Sequence, residues 1–298
     1  ANGEESDSNL YLIPSGAVAF KIDDELSFGV GMAGLSGMGV DFEDIAPLPG
    51  NQNVVTTKQF YRIAPGFSYQ MSKEMALGAA LNINYQSLAI DNEQMHLPQK
   101  QVYGFGITLG LIYKLSDTMQ LGASYVSKQS MSAFEWNTTA GDYSMTMDAP
   151  QTVTVGLAYQ PGDGLLIEAD IKHIAFSDVL DKVDFKTPAG PSAMNFGWED
   201  QVVIALGVQK KISDKTTLRA GFNHGKSPIG EEDVDSNIGS LAITESHLSV
   251  GVTRKLGKRV EGSFSLLHAF NNELKSSTSP NKIELEQNII NFQISYKM

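Results

Sequence analysis

The stretch PQTVTVGLAYQPGDGLLIEADIKHIAFSD, residues 150–178, carries two alternating runs on either side of a turn. Successive side chains of a β-strand point to opposite faces, so residues two apart share a face. The first run sets Val153, Val155, Leu157 and Tyr159 against Thr152, Thr154, Gly156 and Ala158. The second sets Leu165, Ile167, Ala169 and Ile171 against Glu168, Asp170 and Lys172. Proline and glycine in QPGDG (160–164) supply the turn between them. A soluble sandwich would bury the apolar face of this hairpin. A membrane barrel would turn it to lipid and enclose the charges.

Outward from the hairpin the same alternation recurs. It is found in MALGAALNINYQ (75–86), VYGFGITLGLIYKL (102–115), QVVIALGVQK (201–210), TTLRAGFNHG (216–225), RVEGSFSLLHAF (259–270) and IINFQISYKM (289–298). Short connections at 21–25, 70–74, 114–118, 160–164, 211–215 and 255–259 alternate with long polar ones near 37–53, 90–99, 133–145, 175–200, 225–243 and 271–283. Short turns on one rim and long loops on the other describe an outer-membrane barrel. Phe20, Tyr69, Tyr113 and Tyr159 stand beside the short turns, where an interfacial girdle belongs. Soluble-sandwich strands are typically about 5–6 residues, and these runs are longer. The expected fold is all-β, a transmembrane antiparallel up-and-down barrel over residues 1–298. Leu165, Ile167 and Ile171 then face lipid, and Glu168, Asp170 and Lys172 face the lumen.

Composition agrees by exclusion. The 298 residues are 42% hydrophobic, with a mean hydropathy of −0.14. No stretch approaches the roughly 18–20 apolar residues of a membrane helix, which says nothing against a barrel. There is no cysteine, hence no disulfide framework and no thiolate site. A formal charge of −12 would repel phosphate, so nucleic acid is not an expected partner. The opening ANGEESDSNL is polar and acidic and has no signal-peptide character.

Chemical motifs are few. The histidines (His96, His173, His224, His247, His268) are scattered without ligand spacing, and no G-x-S-x-G frames a nucleophile. No metal, cofactor or catalytic residue is expected. EEDVD (231–235) could hold calcium through its carboxylates, with a solvated acidic loop as the plainer reading. GLSGMG (34–39) resembles a phosphate loop but lacks the lysine and the following helix.

The chain resembles the FadL family of outer-membrane transporters for long-chain fatty acids and other hydrophobic compounds. Four stretches carry the resemblance: IPSGAVAFKIDDELSFGVGMAGLSGMGVDF (13–42), LGASYVSKQSMSAFEW (121–136), the hairpin with its preceding alanine (149–178), and TTLRAGFNHGKSPIGEEDVDSNI (216–238). The resemblance implies passive uptake of fatty acids or of aromatic or alkane-like compounds, in the outer membrane of a Gram-negative bacterium among lipid and lipopolysaccharide. A general porin for polar solutes is the alternative, and an outer-membrane lipase a more distant one. The family begins with an N-terminal plug and a first strand, neither of which is visible here. About 13 strands can be drawn, whereas single-chain bacterial barrels have even counts. The expectation is that a plug and one strand, making 14, come from an N-terminal fragment or companion chain. The rival account is that ANGEES follows a signal-peptidase site and the count is off by one.

Three groups of residues are expected to do the work. In the family the strand matching FGVGMAGLSGMG (28–39) is kinked inward and opens the wall sideways, which here assigns the kink to Gly31, Gly34, Ser36, Gly37 and Gly39. Glycine in a strand permits a bend or bulge; the alternative is that these glycines only make room for bulky neighbours. Phe42, Ile45 and Leu48, then Met95 and Leu97, then Phe176, Val179, Leu180 and Val183 bring apolar groups to the long loops, as a site for hydrophobic ligands or as loops packing on each other. The last four have helical spacing after a Ser177 cap. Arg62, Glu168, Asp170, Lys172, Arg219 and Glu261 should project into the lumen and pair across it or with a plug.

Overall fold

The computed structural model describes residues 5–42, 53–93 and 95–297. Its strands run in chain order as β1 (Ser15–Lys21), β2 (Leu26–Phe42), β3 (Val54–Gln70), β4 (Met75–Asn92), β5 (Met95–Lys114), β6 (Met119–Val126) and β7 (Ser130–Met131). There follow β8 (Phe134–Thr138), β9 (Gly141–Met145), β10 (Thr152–Gly162), β11 (Leu165–Ile174), β12 (Lys182–Thr187) and β13 (Gly190–Asn195). The last are β14 (Gln201–Lys211), β15 (Thr216–Gly225), β16 (Ser246–Lys255), β17 (Val260–Lys275) and β18 (Lys282–Tyr296). One large antiparallel sheet has the order β1-β2-β3-β4-β5-β6-β10-β11-β14-β15-β16-β17-β18, and β7 extends β6 against β5. It is the up-and-down wall of a transmembrane barrel.

The hairpin that decided the fold pairs as its alternation requires. Tyr159 lies opposite Ile167, Ala158 opposite Glu168 and Gly156 opposite Asp170. Its turn needs the left-handed region at three successive residues, Gly162 (φ 118°), Asp163 (φ 49°) and Gly164 (φ 67°), which two glycines and an aspartate tolerate. The other five short turns share one geometry: the amides of Ile22, Met71, Leu115, Ile212 and Leu256 each donate to the carbonyl four residues on.

Burial in the wall is inverted relative to a soluble protein. Ile171 is 59% exposed and Phe292 79%, whereas Asn82 and Asn84 are fully buried. Apolar side chains on the outer face cost nothing in lipid, and polar ones find partners within. Aromatic rings pack across strands on that outer face, Phe20–Phe28–Phe67 near the short-turn rim and Tyr61–Tyr85–Tyr103 toward the other. Such pairs add about 0.5–1.5 kcal/mol each beyond area burial.

The long loops fold into a second body. A four-stranded sheet, β13-β12-β9-β8, lies outside the wall, in segments whose sequence reads as polar loop. Helical spacing over 174–185 yields only one turn, Ser177–Leu180, before β12 begins. Ser177 does not cap it: the position before the helix is Phe176, and the Ser177 hydroxyl instead donates to Asp200. The alternation of Val183 and Phe185 along β12 prevails over the helical spacing because both side chains are needed in one core.

Candidate functional site: a capped lumen with a break in its wall

The cap over the long-loop end is a close-packed apolar core. Phe134 and Trp136 stack at 5.6 Å, and Trp136 Nε1 donates to the Pro98 carbonyl at 2.7 Å. Trp198 meets Phe176 edge-on at 5.0 Å and donates through Nε1 to Asn237 Oδ1 at 2.7 Å. Asn237, fully buried, donates in turn to the carbonyls of Phe196 and Asp233. The loop after β15 thereby crosses the mouth: Thr56 of β3 donates to the Gly239 carbonyl at 2.6 Å, and Asn272 of β17 to that of Ile243 at 2.7 Å.

Of the loop residues expected to bind ligand, Leu97, Val179, Leu180 and Val183 are buried in this core, and Phe42, Met95 and Phe176 pack against it half-buried. Ile45 and Leu48 lie outside the described residues. The structure therefore brings seven of the nine together.

Two carboxylates hold the mouth loop in opposite ways. Asp235 accepts from Ser276, Thr278, Ser279 and Asn281 at 2.6–3.1 Å, tying the 3₁₀ turn Glu231–Ser236 to the β17–β18 loop. Burial pushes its carboxyl up, and those four hydrogen bonds outweigh burial and leave it below the ordinary range. Asp233 is pushed above that range by burial and by the charges of Glu232, Asp181 and Glu199. No group of three or more metal-ligating side chains with metal-site geometry occurs among the described residues. Asp200 accepts from the Ser177 hydroxyl at 2.7 Å and lies 3.2 Å from His173 Nε2. The carboxylate stands between hydroxyl and imidazole, so His173 contacts Asp200 and not the hydroxyl, unlike the direct nucleophile–imidazole contact of a Ser–His pair.

Below the cap the lumen wall is polar. Arg62 Nε donates to Asn84 Oδ1 at 3.0 Å, and Asn84 Nδ2 to Gln129 Oε1 at 2.8 Å. Gln129 reaches Asn84 because the chain bulges inward between β6 and β7 and lays the side chain over Gly106, where any Cβ would collide with it. Arg219 donates to Gln209 at 2.8 Å and Thr253 at 2.6 Å. Glu168 and Asp170 line a cavity of about 450 Å³ with Gly78, Gly110, Gly122 and Gly156. No ion pair joins Arg62, Glu168, Asp170, Lys172, Arg219 or Glu261 to one another among the described residues. The expected pairing across the lumen is replaced, for the two arginines, by bonds to amides and hydroxyls on neighbouring strands, because a side chain cannot span an open barrel.

The wall changes character at β2. Pairing with β3 slips between Gly34 and Ser36, so Leu35 is an extra residue. Beyond Ala33 no strand among the described residues flanks β2 on its other side, since β1 pairs only from Ser15 with Ala33 to Lys21 with Ser27. Of the five residues expected to form a kink, Gly34 and Ser36 bracket the slip, Gly37 and Gly39 lie beyond it, and Gly31 lies in regular ladder.

An inside-out sheet, a polar lumen and a folded cap define an outer-membrane β-barrel transport protein. The chain belongs to the outer membrane protein transport protein family (OMPP1/FadL/TodX), whose model matches residues 1–275. Members of that family are transport proteins rather than enzymes, and they reside in the Gram-negative outer membrane. The chain is similar to the Pseudomonas putida toluene transporter TodX, at 20% identity and a TM-score of 0.77 over 98% of this chain and 83% of that one. A Pseudomonas aeruginosa FadL homologue matches at 14% identity and 0.73, covering 95% and 76%. The Ralstonia pickettii toluene transporter TbuX matches at 15% and 0.71, covering 94% and 80%. No curated relative matches the chain.

Proposed function

We propose that the protein takes up hydrophobic small molecules, long-chain fatty acids or aromatic or alkane-like compounds, binding them at the apolar loops and releasing them sideways through the wall. The observation that carries this reading is the slip at Leu35, above which β2 pairs with β3 alone among the described residues. A porin for polar solutes needs a continuous wall and has no use for such a break. The cap supports the first step: Phe42, Met95 and Phe176 are half-buried at the edge of an apolar core, a surface onto which an apolar ligand can add.

The barrel is closed by a strand from outside the described ladder. In an antiparallel series of 13 strands the first and last run the same way, and β1 and β18 each have a single partner among the described residues. Unpaired backbone groups in hydrocarbon cost several kcal/mol each, so one strand running oppositely to both fills the seam, and lipid and lipopolysaccharide surround the wall. High-yield disulfide formation between cysteines placed at Val18 and Phe292, both on the outer face, would sink the added strand.

Uptake of labelled toluene, oleate and a disaccharide is to be compared in cells of an outer-membrane host lacking its own hydrophobic transporters. One of the first two should accumulate faster when the protein is present. Disaccharide uptake alone would make it a porin.

A further inference from the structure

Residues 5–14 lie where a strand beside upper β2 would be, yet they are not one. At the far end Asp7 N donates to the Asp41 carbonyl and Asp41 N to Ser6 Oγ, both at 2.9 Å. The Tyr11 hydroxyl lies 2.7 Å from the Gly39 carbonyl. At the near end Gly34 N reaches the Pro14 carbonyl at 3.4 Å, a long bond. Pro14 has no N–H to continue the β1 ladder, so it separates the segment from the strand that follows.

Side chains fill what the backbone leaves open. Ile13 Cγ2 lies 2.6 Å from where a Cβ on Gly34 would stand, with the Tyr61 ring on the other side at 3.2 Å. Gly39 is likewise covered by Tyr11 and Ser8. Gly37, between them, has only the Lys58 carbonyl near it, at 3.8 Å. Leu10 and Leu12 are 92% and 90% exposed, on a wall whose outer surface meets apolar surroundings. The segment is thus tied at one end and held at the other by one long bond and one isoleucine. Segments with few buried contacts and few backbone bonds open at low free energy.

We infer that residues 5–14 are a shutter over the break in the wall, closed here by Ile13 seated against Gly34 and opened at that end when a ligand leaves. The inference rests on the sideways-exit reading above. It explains why Gly34 carries no side chain: any Cβ there would lift Ile13 out.

The chain has no cysteine, so the shutter can be locked cleanly. Ile13→Cys with Gly34→Cys puts the two Cβ atoms within the reach of a disulfide. In cells expressing the otherwise unaltered protein, oxidation should abolish hydrophobic uptake and a reductant restore it, with Gly34→Cys alone indifferent to both. Ile13→Ala, which loosens the same contact without touching the wall, should raise the uptake rate several-fold. Gly37→Trp, which fills the break itself, separates the two ideas. If it leaves uptake unchanged, exit is not sideways and the shutter falls with it. If it blocks uptake while the oxidised double variant and Ile13→Ala both behave as the parent, exit is sideways and the shutter alone is overturned.

Discussion

The wall and the cap obey one alternation rule in two solvents, and they come out inverted. Along β11 the apolar residues Ile167 and Ile171 are among the exposed ones. Along β8 and β12 the apolar residues Phe134, Trp136, Val183 and Phe185 are buried. The hydrophobic effect drives only the second, where apolar surface leaves water. In the wall the decisive quantity is satisfaction of every backbone group, because lipid offers no hydrogen bonds. The difference predicts that damage to the cap should spare the barrel, and that the two regions should respond oppositely to the same kind of substitution.

The largest effect is expected in the cap. Trp136→Ala removes a fully packed ring and orphans the Pro98 carbonyl, and should cost about 3–5 kcal/mol of local stability. Hydrogen exchange of the β8–β9 amides should accelerate while the heat-modifiability of the barrel on gels stays unchanged. Simultaneous loss of both would show that cap and wall fold as one unit. In the wall, Ile171→Arg should cost about 2–4 kcal/mol if it lies near the bilayer midplane, read from urea titration in vesicles. Thr154→Val, on the lumen side of β10, should be nearly silent. The reverse order would overturn the assignment of faces.

Two smaller effects concern the loop across the mouth. Asp235 titrates below its ordinary value, so its contribution is present above the unfolded pKa and lost as pH falls through the folded one. Asp235→Ala should free the β17–β18 loop at neutral pH, with a cost of about 1–3 kcal/mol for the orphaned donors, seen as faster exchange around Ser276–Asn281. Asp233 has the opposite sign. Its folded pKa is raised, so stability is fullest below the unfolded value and falls as pH rises through the folded one. Asp233→Asn should therefore tighten the loop slightly at neutral pH and leave it indifferent to pH between those two values. Equal and parallel pH profiles for the two variants would break this contrast.

Parts of the site were legible in advance and parts were not. The apolar residues from 95 to 183 stand out in the sequence as groups out of place, and they do converge, but hydropathy cannot say whether such a cluster is an open groove or a core. The hairpins β8–β9 and β12–β13 are not legible in the sequence although Phe134 and Trp136, and Val183 and Phe185, alternate; each run is only five or six residues long and sits in polar surroundings. Gln129 gave no signal at all. Its place beside Asn84 depends on an inward bulge that only the pairing of β5 with both β6 and β7 reveals.

What the sequence determined by itself is most of the wall: its alternating strands, their short turns, and which side chain faces lipid. The stretch 90–99 is the exception: it reads as a long loop but is ladder, with Ile90 opposite Leu97 and Asn92 opposite Met95. A period of two leaves no freedom once one face must be apolar, since a slip by one residue would reverse every side chain. Tertiary structure decided the rest. Which loops meet over the mouth, where β2 loses its partner, and what Ile13 covers are all contacts between residues far apart in the chain. No local periodicity encodes them, because they are settled by the shape left over when the barrel curves round and brings distant strands side by side.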